Sequence, residues 1–423
     1  MIKILNYNKV KPEEIFARPA GIAGVADTVS DIIQAVKDGG DNALKKFCKK
    51  FDGADMQSLE VSAPEINAAI KSVEPEFLRV LKQAAANIKR FHLKQRRKGF
   101  SVVKKDGTVI GQKITPIEKA GIYVPGGTAA YPSTVLMDAI PAKIAGVKEI
   151  IMTTPPDKNG NINPAVLAAA FIAGVDRIFK VGGAQAIAAL SFGTESIPAV
   201  NKIVGPGNAF VAEAKKQVFG KVAIDMIAGP SEILIVADGK SNPKFVAADL
   251  LSQAEHDKMA SAVLITDSEE LALKVSEELE RQIELLPRKS IARVSVDDNG
   301  KIIIADSIDK AIEISNEIAP EHLELCVDAP FKYLDKVKNA GSVFLGRFCP
   351  EALGDYFAGP NHTLPTLGTA KFSSPLSVDD FIKKTQFTYY TEEALSKVAG
   401  KIACFAEKEG LTAHAKSATV RSE

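Results

Sequence analysis

From about Gly121 onward the chain alternates short β-rich runs with longer helical runs, and this alternation constrains its fold more than any other feature. Gly121-Ile-Tyr-Val-Pro125 reads as a strand and is followed by a helix over about 133–145. Glu149-Ile-Ile-Met152 leads into a helix over 164–173, and Arg177-Ile-Phe-Lys-Val181 into a helix opening at Gly183-Ala-Gln185. Lys202-Ile-Val204 leads into a helix that starts near Gly207-Asn208. Consecutive βα units of this kind imply parallel strands with helices on both faces. Past Pro230 the alternation resumes with a helix over 243–253 and the strand Ala262-Val-Leu-Ile-Thr266. Leu271, Val275, Leu279 and Ile283 then recur every four residues, as one apolar helical face requires. Further strands are expected at 301–305, 323–327 and 342–345.

The fold class implied is α/β, with two Rossmann-like parallel-sheet domains, one inserted in the other. The expected division is an N-terminal segment at 1–20, a larger α/β domain from 21–122 and 231–376, an inserted Rossmann-like domain at 123–230, and a helical tail at 377–423. The stretch 21–97 is mostly helical without a sheet of its own, so it is expected to pack with the 231–376 segment. In the tail, Ser377-x-x-Asp380 resembles a capping box. Leu395, Val398, Ile402 and Phe405 form one apolar face that stops at Gly410. So few residues cannot build an independent core. That face needs a partner, either the body of the same chain or a second subunit.

Charge and cysteine usage exclude several function classes. Fifty-three basic against 52 acidic residues leave a net charge of +1, which argues against a nucleic-acid or acidic-lipid surface. The basic run Lys94-Gln-Arg-Arg-Lys98 precedes Gly99 and suits a solvated helix C-terminus. Cys48, Cys326, Cys349 and Cys404 are far apart and form no C-x-x-C pair, as expected of reduced thiols in a cytoplasmic protein. The N-terminus lacks the apolar core of a signal peptide, and the longest apolar stretch, 164–175, is too short to span a bilayer.

Four of the five histidines lie in the second half, each inside a short polar cluster. The clusters are Gln253-Ala-Glu-His256-Asp257, Pro320-Glu321-His322-Leu323-Glu324, Gly359-Pro-Asn-His362 and Glu409-Gly-Leu-Thr-Ala-His414. Gln253 and His256 are three apart at a helix end and share a face, so together they offer one carbonyl oxygen and one ring nitrogen to a cation. Asp355 would add a carboxylate and His414 a second imidazole, a donor set suited to zinc or a neighbouring transition metal. Spacing alone favours a plainer arrangement, in which His256 caps its helix end and Gln253 is solvent-exposed. Glu321 beside His322 fits either a proton-handling couple, because imidazole titrates near neutrality, or a polar strand entrance bonded to nearby backbone. Pro320 is expected to hold Ala319 extended, and a shared site would need a local turn at Glu321. The turns Val181-Gly-Gly-Ala-Gln185 and Val204-Gly-Pro-Gly-Asn208 could present N–H groups to a phosphate, although neither completes G-x-G-x-x-G.

One stretch, Ile224-Asp-Met-Ile-Ala-Gly-Pro-Ser-Glu-Ile-Leu-Ile-Val236, goes further. With Gly205-Pro-Gly-Asn-Ala-Phe-Val211, Ser252-Gln-Ala-Glu-His256-Asp257, Ala319-Pro-Glu-His322-Leu-Glu324 and Gly359-Pro-Asn-His362, it resembles the histidinol dehydrogenase family over essentially the whole chain. Leu367 in Pro365-Thr-Leu-Gly368 departs from the family pattern, which leads one to expect a second glycine. The resemblance implies oxidation of L-histidinol to L-histidine through the aldehyde, with two NAD+. It implies zinc at Gln253, His256, Asp355 and His414, and acid–base work by Glu321 and His322. Substrate contacts would be Ser231, His322, His362 and Glu409 beside the metal ligands, and NAD contacts Tyr123, Gln185 and Asn208. It also implies a homodimer whose C-terminal tail crosses between subunits, which would supply the orphan apolar face with a partner.

Overall fold

The computed structural model describes residues 1–18, 24–126 and 130–422. The boundary expected between residues 20 and 21 lies outside them. The chain forms two compact units, residues 1–95 with 118–381, and residues 96–117 with 382–423.

The first unit is built on two parallel sheets. One runs Arg177–Lys180, Glu149–Thr154, Lys119–Tyr123, Lys202–Val204, Ala223–Ile224 across its width. The other runs Lys3–Asn6, Lys301–Ile304, Ser261–Thr266, Glu232–Ala237, His322–Cys326, Ser342–Leu345. In each, the first strand of the βα series is central, the next two lie on one side and the following two on the other. This is the doubly wound order, in which the direction of winding reverses beside the first strand. Lys3–Asn6, from the segment expected to stand apart at the N-terminus, adds an edge strand to the second of these sheets.

Central strands covered on both faces must be apolar throughout, and Glu232–Ala237 is buried along its whole length. Ile233, Ile235 and Ala237 enter one core, and Leu234 and Val236 the core on the opposite face. In the sheet centred on Lys119–Tyr123, the helices Pro164–Ala173 and Gly183–Phe192 are themselves alanine-rich and apolar nearly all round. A helix with no polar face has to be enclosed. The outer layer that encloses them consists of Ala26–Phe47, Ala63–Ser72 and Pro75–Leu93, which pack on this sheet's helices. These helices were expected to pack with the 231–376 segment. Pro75–Leu93 does so in part, against Gly354–Ala358, but all three pack on this sheet's helices, where the alanine-rich pair would otherwise leave apolar surface uncovered on its outer side.

The second unit contains a feature with no counterpart in the sequence reading. Phe100–Val103, Val109–Pro116 and Ile382–Tyr389 form an antiparallel sheet with Val109–Pro116 in the middle. The tail is therefore strand first and helix second. Glu392–Lys408 starts at Thr391, whose hydroxyl accepts the Ala394 N–H at 3.1 Å, and it packs on Thr412–Thr419 through Ala403, Ala406 and Ala415. Gly410 turns the chain between them at φ 75°. Ile402, Phe405 and Leu411 remain exposed.

Candidate active site

The charged cluster lies at the amino-terminal entrances of two neighbouring strands. Glu321 precedes the strand His322–Cys326, and Glu232 opens Glu232–Ala237 beside it. Proline was expected to keep Ala319 extended; instead Ala319 is left-handed at φ 51° and caps the helix Ile308–Ile318. Helix termination in a left-handed residue wins over the pre-proline preference here. The bend it creates carries out the local turn that brings Glu321 and His322 to one place.

Both residues are buried. The Glu321 carboxylate accepts the Glu232 N–H at 2.9 Å, and its Oε2 lies 3.6 Å from His322 Nδ1. His322 Nδ1 is bonded at 3.0 Å to the Glu232 carbonyl, an acceptor, so that nitrogen carries the proton. Nε2 has no hydrogen-bond partner. It faces Asp355 Oδ1 at 3.7 Å and Glu351 Oε1 at 3.9 Å, while the ring stacks on Phe344. Burial pushes Glu321 up to about 8. Burial opposes charge on His322 as well, but Glu321, Asp355 and Glu351 together raise it to about 10. Asp355 is also buried, yet the neighbouring His322 and His362 bring it down to about 2.

A second rank of carboxylates stands behind. Glu324 shares a sheet face with His322, two residues on, and accepts the Glu351 N–H at 2.8 Å. Burial and the neighbouring Asp249 push Glu324 far above the carboxylate range, and burial raises Asp249 to about 6. Glu351 also accepts the Ser252 hydroxyl at 2.7 Å, and burial raises it too. The sequence reading missed Glu351, Glu232 and Asp249. Strand alternation from His322 could have found Glu324; nothing local marks Glu351.

Of the residues singled out in the sequence, Gln253, Glu321, His322, Asp355 and His362 are gathered here. His362 Nδ1 lies 3.8 Å from Asp355 Oδ1, and burial holds this imidazole below its ordinary value. Ser231 immediately precedes Glu232, and its carbonyl accepts the Ser261 N–H at 2.9 Å. His256 follows the helix Pro243–Ala254 and is exposed, within range of the Asp355 charge. Gln253 is buried rather than solvent-exposed, and neither atom of its amide has a hydrogen-bond partner. Glu409 and His414 lie in the second unit, at the end of one tail helix and within the other.

These donors fit a divalent cation. A buried amide with both atoms unsatisfied is costly unless something else takes up its oxygen. Among the described residues, one ligand atom each from His322, Glu351 and Asp355 lie within 4.8 Å of one another. Imidazole nitrogen with carboxylate and amide oxygens suits zinc or a similar transition metal. Thiolate chemistry has no footing beside this cluster. Burial and the adjacent Glu324 push the Cys326 thiol far up, and burial raises Cys349.

The other three sequence-derived residues sit at the carboxyl ends of the strands in the other sheet. Tyr123 ends the central strand, and its hydroxyl accepts the Gly183 N–H at 3.0 Å. Gln185 is buried in the first turn of the helix that Gly183 opens. Asn208 caps Ala209–Val218, accepting from Phe210 and Val211 at 3.1 and 3.2 Å. Gly205 stands at φ 115°, where a Cβ would lie 2.1 Å from the Tyr123 carbonyl oxygen; only glycine fits. Dinucleotides bind doubly wound sheets in this crevice, where the winding reverses.

Comparison with known proteins supplies a family for this geometry. Residues 18–422 match the profile of the histidinol dehydrogenase family. Histidinol dehydrogenase of Clostridium acetobutylicum is 58% identical over 399 residues, 94% of this chain and 93% of that one. The enzyme of Bacillus cereus is 55% identical over 422 residues, covering 100% and 96%. The crystal structure of histidinol dehydrogenase from Elizabethkingia anophelis superposes with a TM-score of 0.95 at 43% identity, covering 99% of this chain and 98% of that one.

Proposed function

Because the chain belongs to the histidinol dehydrogenase family, oxidoreductases of histidine biosynthesis, we propose that it converts L-histidinol to L-histidine through the aldehyde in the cytoplasm, passing one hydride to each of two NAD+. The observation that carries this reading is the setting of His322. Its Nδ1 is committed to the Glu232 carbonyl, so Nε2 is left facing the cluster without a partner.

In the first half-reaction Nε2 takes the proton of the substrate hydroxyl as hydride leaves the carbinol carbon. The aldehyde has no hydroxyl of its own to lose, so it must first gain water. Glu321, buried and adjacent, takes a proton from that water as its oxygen bonds to the carbonyl carbon, and His322 returns the proton it took to the former carbonyl oxygen, which completes the hydrate and frees Nε2. The resulting hydrate then loses its second hydride with His322 again receiving the proton. Tyr123, Gln185 and Asn208 hold the dinucleotide. Ser231, His362 and, from the tail of a second copy of the chain, Glu409 hold the substrate beside the metal ligands. The residues that would hold zinc are Gln253, His256, Asp355 and the tail's His414. When bound, the metal supplies a grip on the substrate imidazole and amine, a positioning effect, and its charge opposes protonation of the neighbouring His322. The exposed Ile402 and Phe405 support the exchange of tails, since a subunit contact would cover them.

The test is absorbance at 340 nm with histidinol and NAD+, before and after metal is stripped. Two NADH per histidinol are expected, lost with the metal and regained with added zinc. Full turnover by a metal-free preparation would overturn the reading.

A further inference from the structure

The two groups that handle protons in the reaction proposed above are fastened to a residue that touches neither reactant. Glu232 donates its N–H to Glu321 at 2.9 Å, and its carbonyl accepts from His322 Nδ1 at 3.0 Å. Wherever Glu232 stands, both groups must follow. Its own side chain is buried and turns away to meet Arg18.

The Arg18 guanidinium is used as a fork. One nitrogen pairs with the Glu232 carboxylate, and another donates to the carbonyl of Ile318. Ile318 ends a helix and stands three residues before Glu321; Glu232 opens the neighbouring strand. The fork therefore grips the entrances of both strands, and the bonds that orient Glu321 and His322 run between those same two entrances. Within the gripped segment Ala319 is left-handed, a conformation that an alanine keeps only when its surroundings enforce it.

We infer that Arg18 is a positioning residue for the oxidation: by bridging Glu232 to the carbonyl of residue 318 it fixes the spacing of the two strand entrances, and with it the reach of Glu321 and His322. The inference rests on the proposed reaction. It follows from shape as much as charge, because a planar fork reaches two acceptors at fixed separation and an ammonium does not. It also follows from the energetics of burial, because a buried carboxylate that loses its partner shifts toward protonation or draws in water, and either moves the backbone attached to it.

The experiment compares the wild type, Arg18→Gln, Arg18→Lys and the double variant Arg18→Gln/Glu232→Gln as full-length metal-loaded protein. For Arg18→Gln, kcat is expected to fall by about 10- to 100-fold, the scale of a sub-ångström to ångström misplacement of catalytic groups. KM for histidinol and for NAD+ should stay within about threefold, since uniform binding is not touched. Added guanidinium ion should restore part of the lost kcat. The double variant should be no slower than the single one, because the pair acts as a unit. Arg18→Lys, which keeps the charge and serves if the glutamine variant does not fold, should fall between wild type and Arg18→Gln. Wild-type kcat in Arg18→Lys, or a loss in Arg18→Gln that only tracks the fraction of folded protein, would overturn the inference. A wild-type chain inert toward histidinol would sink the functional reading and this inference with it.

Discussion

The two parallel sheets share one order of βα strands yet carry their candidate sites at opposite edges. In the sheet centred on Lys119–Tyr123, the crevice at the carboxyl ends is lined by Tyr123 and by glycine turns that leave backbone close to any ligand. In the sheet centred on Glu232–Ala237, the equivalent crevice is crossed by an arginine. Arg347 bonds both oxygens of Asp238 at 2.5 and 2.6 Å and Asp328 at 2.8 Å, and so ties together the loops that leave the two strands. The charged cluster stands at the amino ends of those same strands. Topology therefore supplies a crevice in each sheet, and the residues at its rim decide whether it remains free for a ligand. Binding a dinucleotide needs close backbone and helix N-termini. Moving protons, the role proposed for Glu321 and His322, suits a buried carboxylate and imidazole, and these two stand where two strand entrances are braced together.

If the amino edge of one sheet does the proton chemistry and the carboxyl edge of the other binds the dinucleotide, they should fail separately. The largest effect is expected from His322→Asn. Asparagine can still donate to the Glu232 carbonyl but has nothing in place of Nε2, so turnover should drop by about 10² to 10⁴-fold with the KM for NAD+ nearly unchanged. Steady-state kinetics with each substrate varied in turn checks this; a parallel rise in the NAD+ KM would break the division of labour. Next comes Lys215→Met. Lys215 and Asp225 are a buried ion pair that clamps the turn proposed to meet the dinucleotide from both sides of one glycine, through the Gly205 carbonyl at 2.9 Å and the Gly205 N–H at 2.8 Å. Removing one partner of a buried pair costs about 3–5 kcal/mol. Urea unfolding should show that loss, and in the protein that remains folded the KM for NAD+ should rise while that for histidinol does not.

How much of this could be read in the sequence depended on range. Most parallel strands were legible because burial on both faces leaves unbroken apolar runs such as Ala262 to Ile265, although the central strand Glu232–Ala237 was not named among them. The tail strand Ile382–Tyr389 was not, because it is largely polar and exposed, and its partner Val109–Pro116 is remote in the chain. Ala319 misled for a local reason: the pre-proline rule describes a preference, and the end of a helix overrode it. Leu367, where a glycine was expected, stands at φ 55°, the left-handed conformation that glycine adopts most easily; a Cβ on Gly229 would collide with its side chain. The family pattern marked a backbone geometry there, and this chain keeps the geometry with a different residue. Within the site, Glu321 and His322 were visible as neighbours. Glu351 was not, because only the folded chain brings it within 3.9 Å of His322.

The smallest effect tests the side of the comparison where nothing should happen. Arg347 is the residue that crosses the carboxyl-end crevice of the sheet centred on Glu232–Ala237, and it holds Asp238, Asp328 and the Ser241 hydroxyl, the last at 3.3 Å. Its pairs are partly exposed, so water replaces much of what is lost when they break. Arg347→Gln should therefore cost about 1 kcal/mol of stability, near the top of the range for exposed pairs because the contact is forked. It should leave kcat and both KM values within about twofold. Urea midpoints and steady-state rates measured on one preparation check both halves. A clear kinetic defect at unchanged stability would mean that the bridged crevice takes part in the reaction, and that the sheet centred on Glu232–Ala237 works at both of its ends.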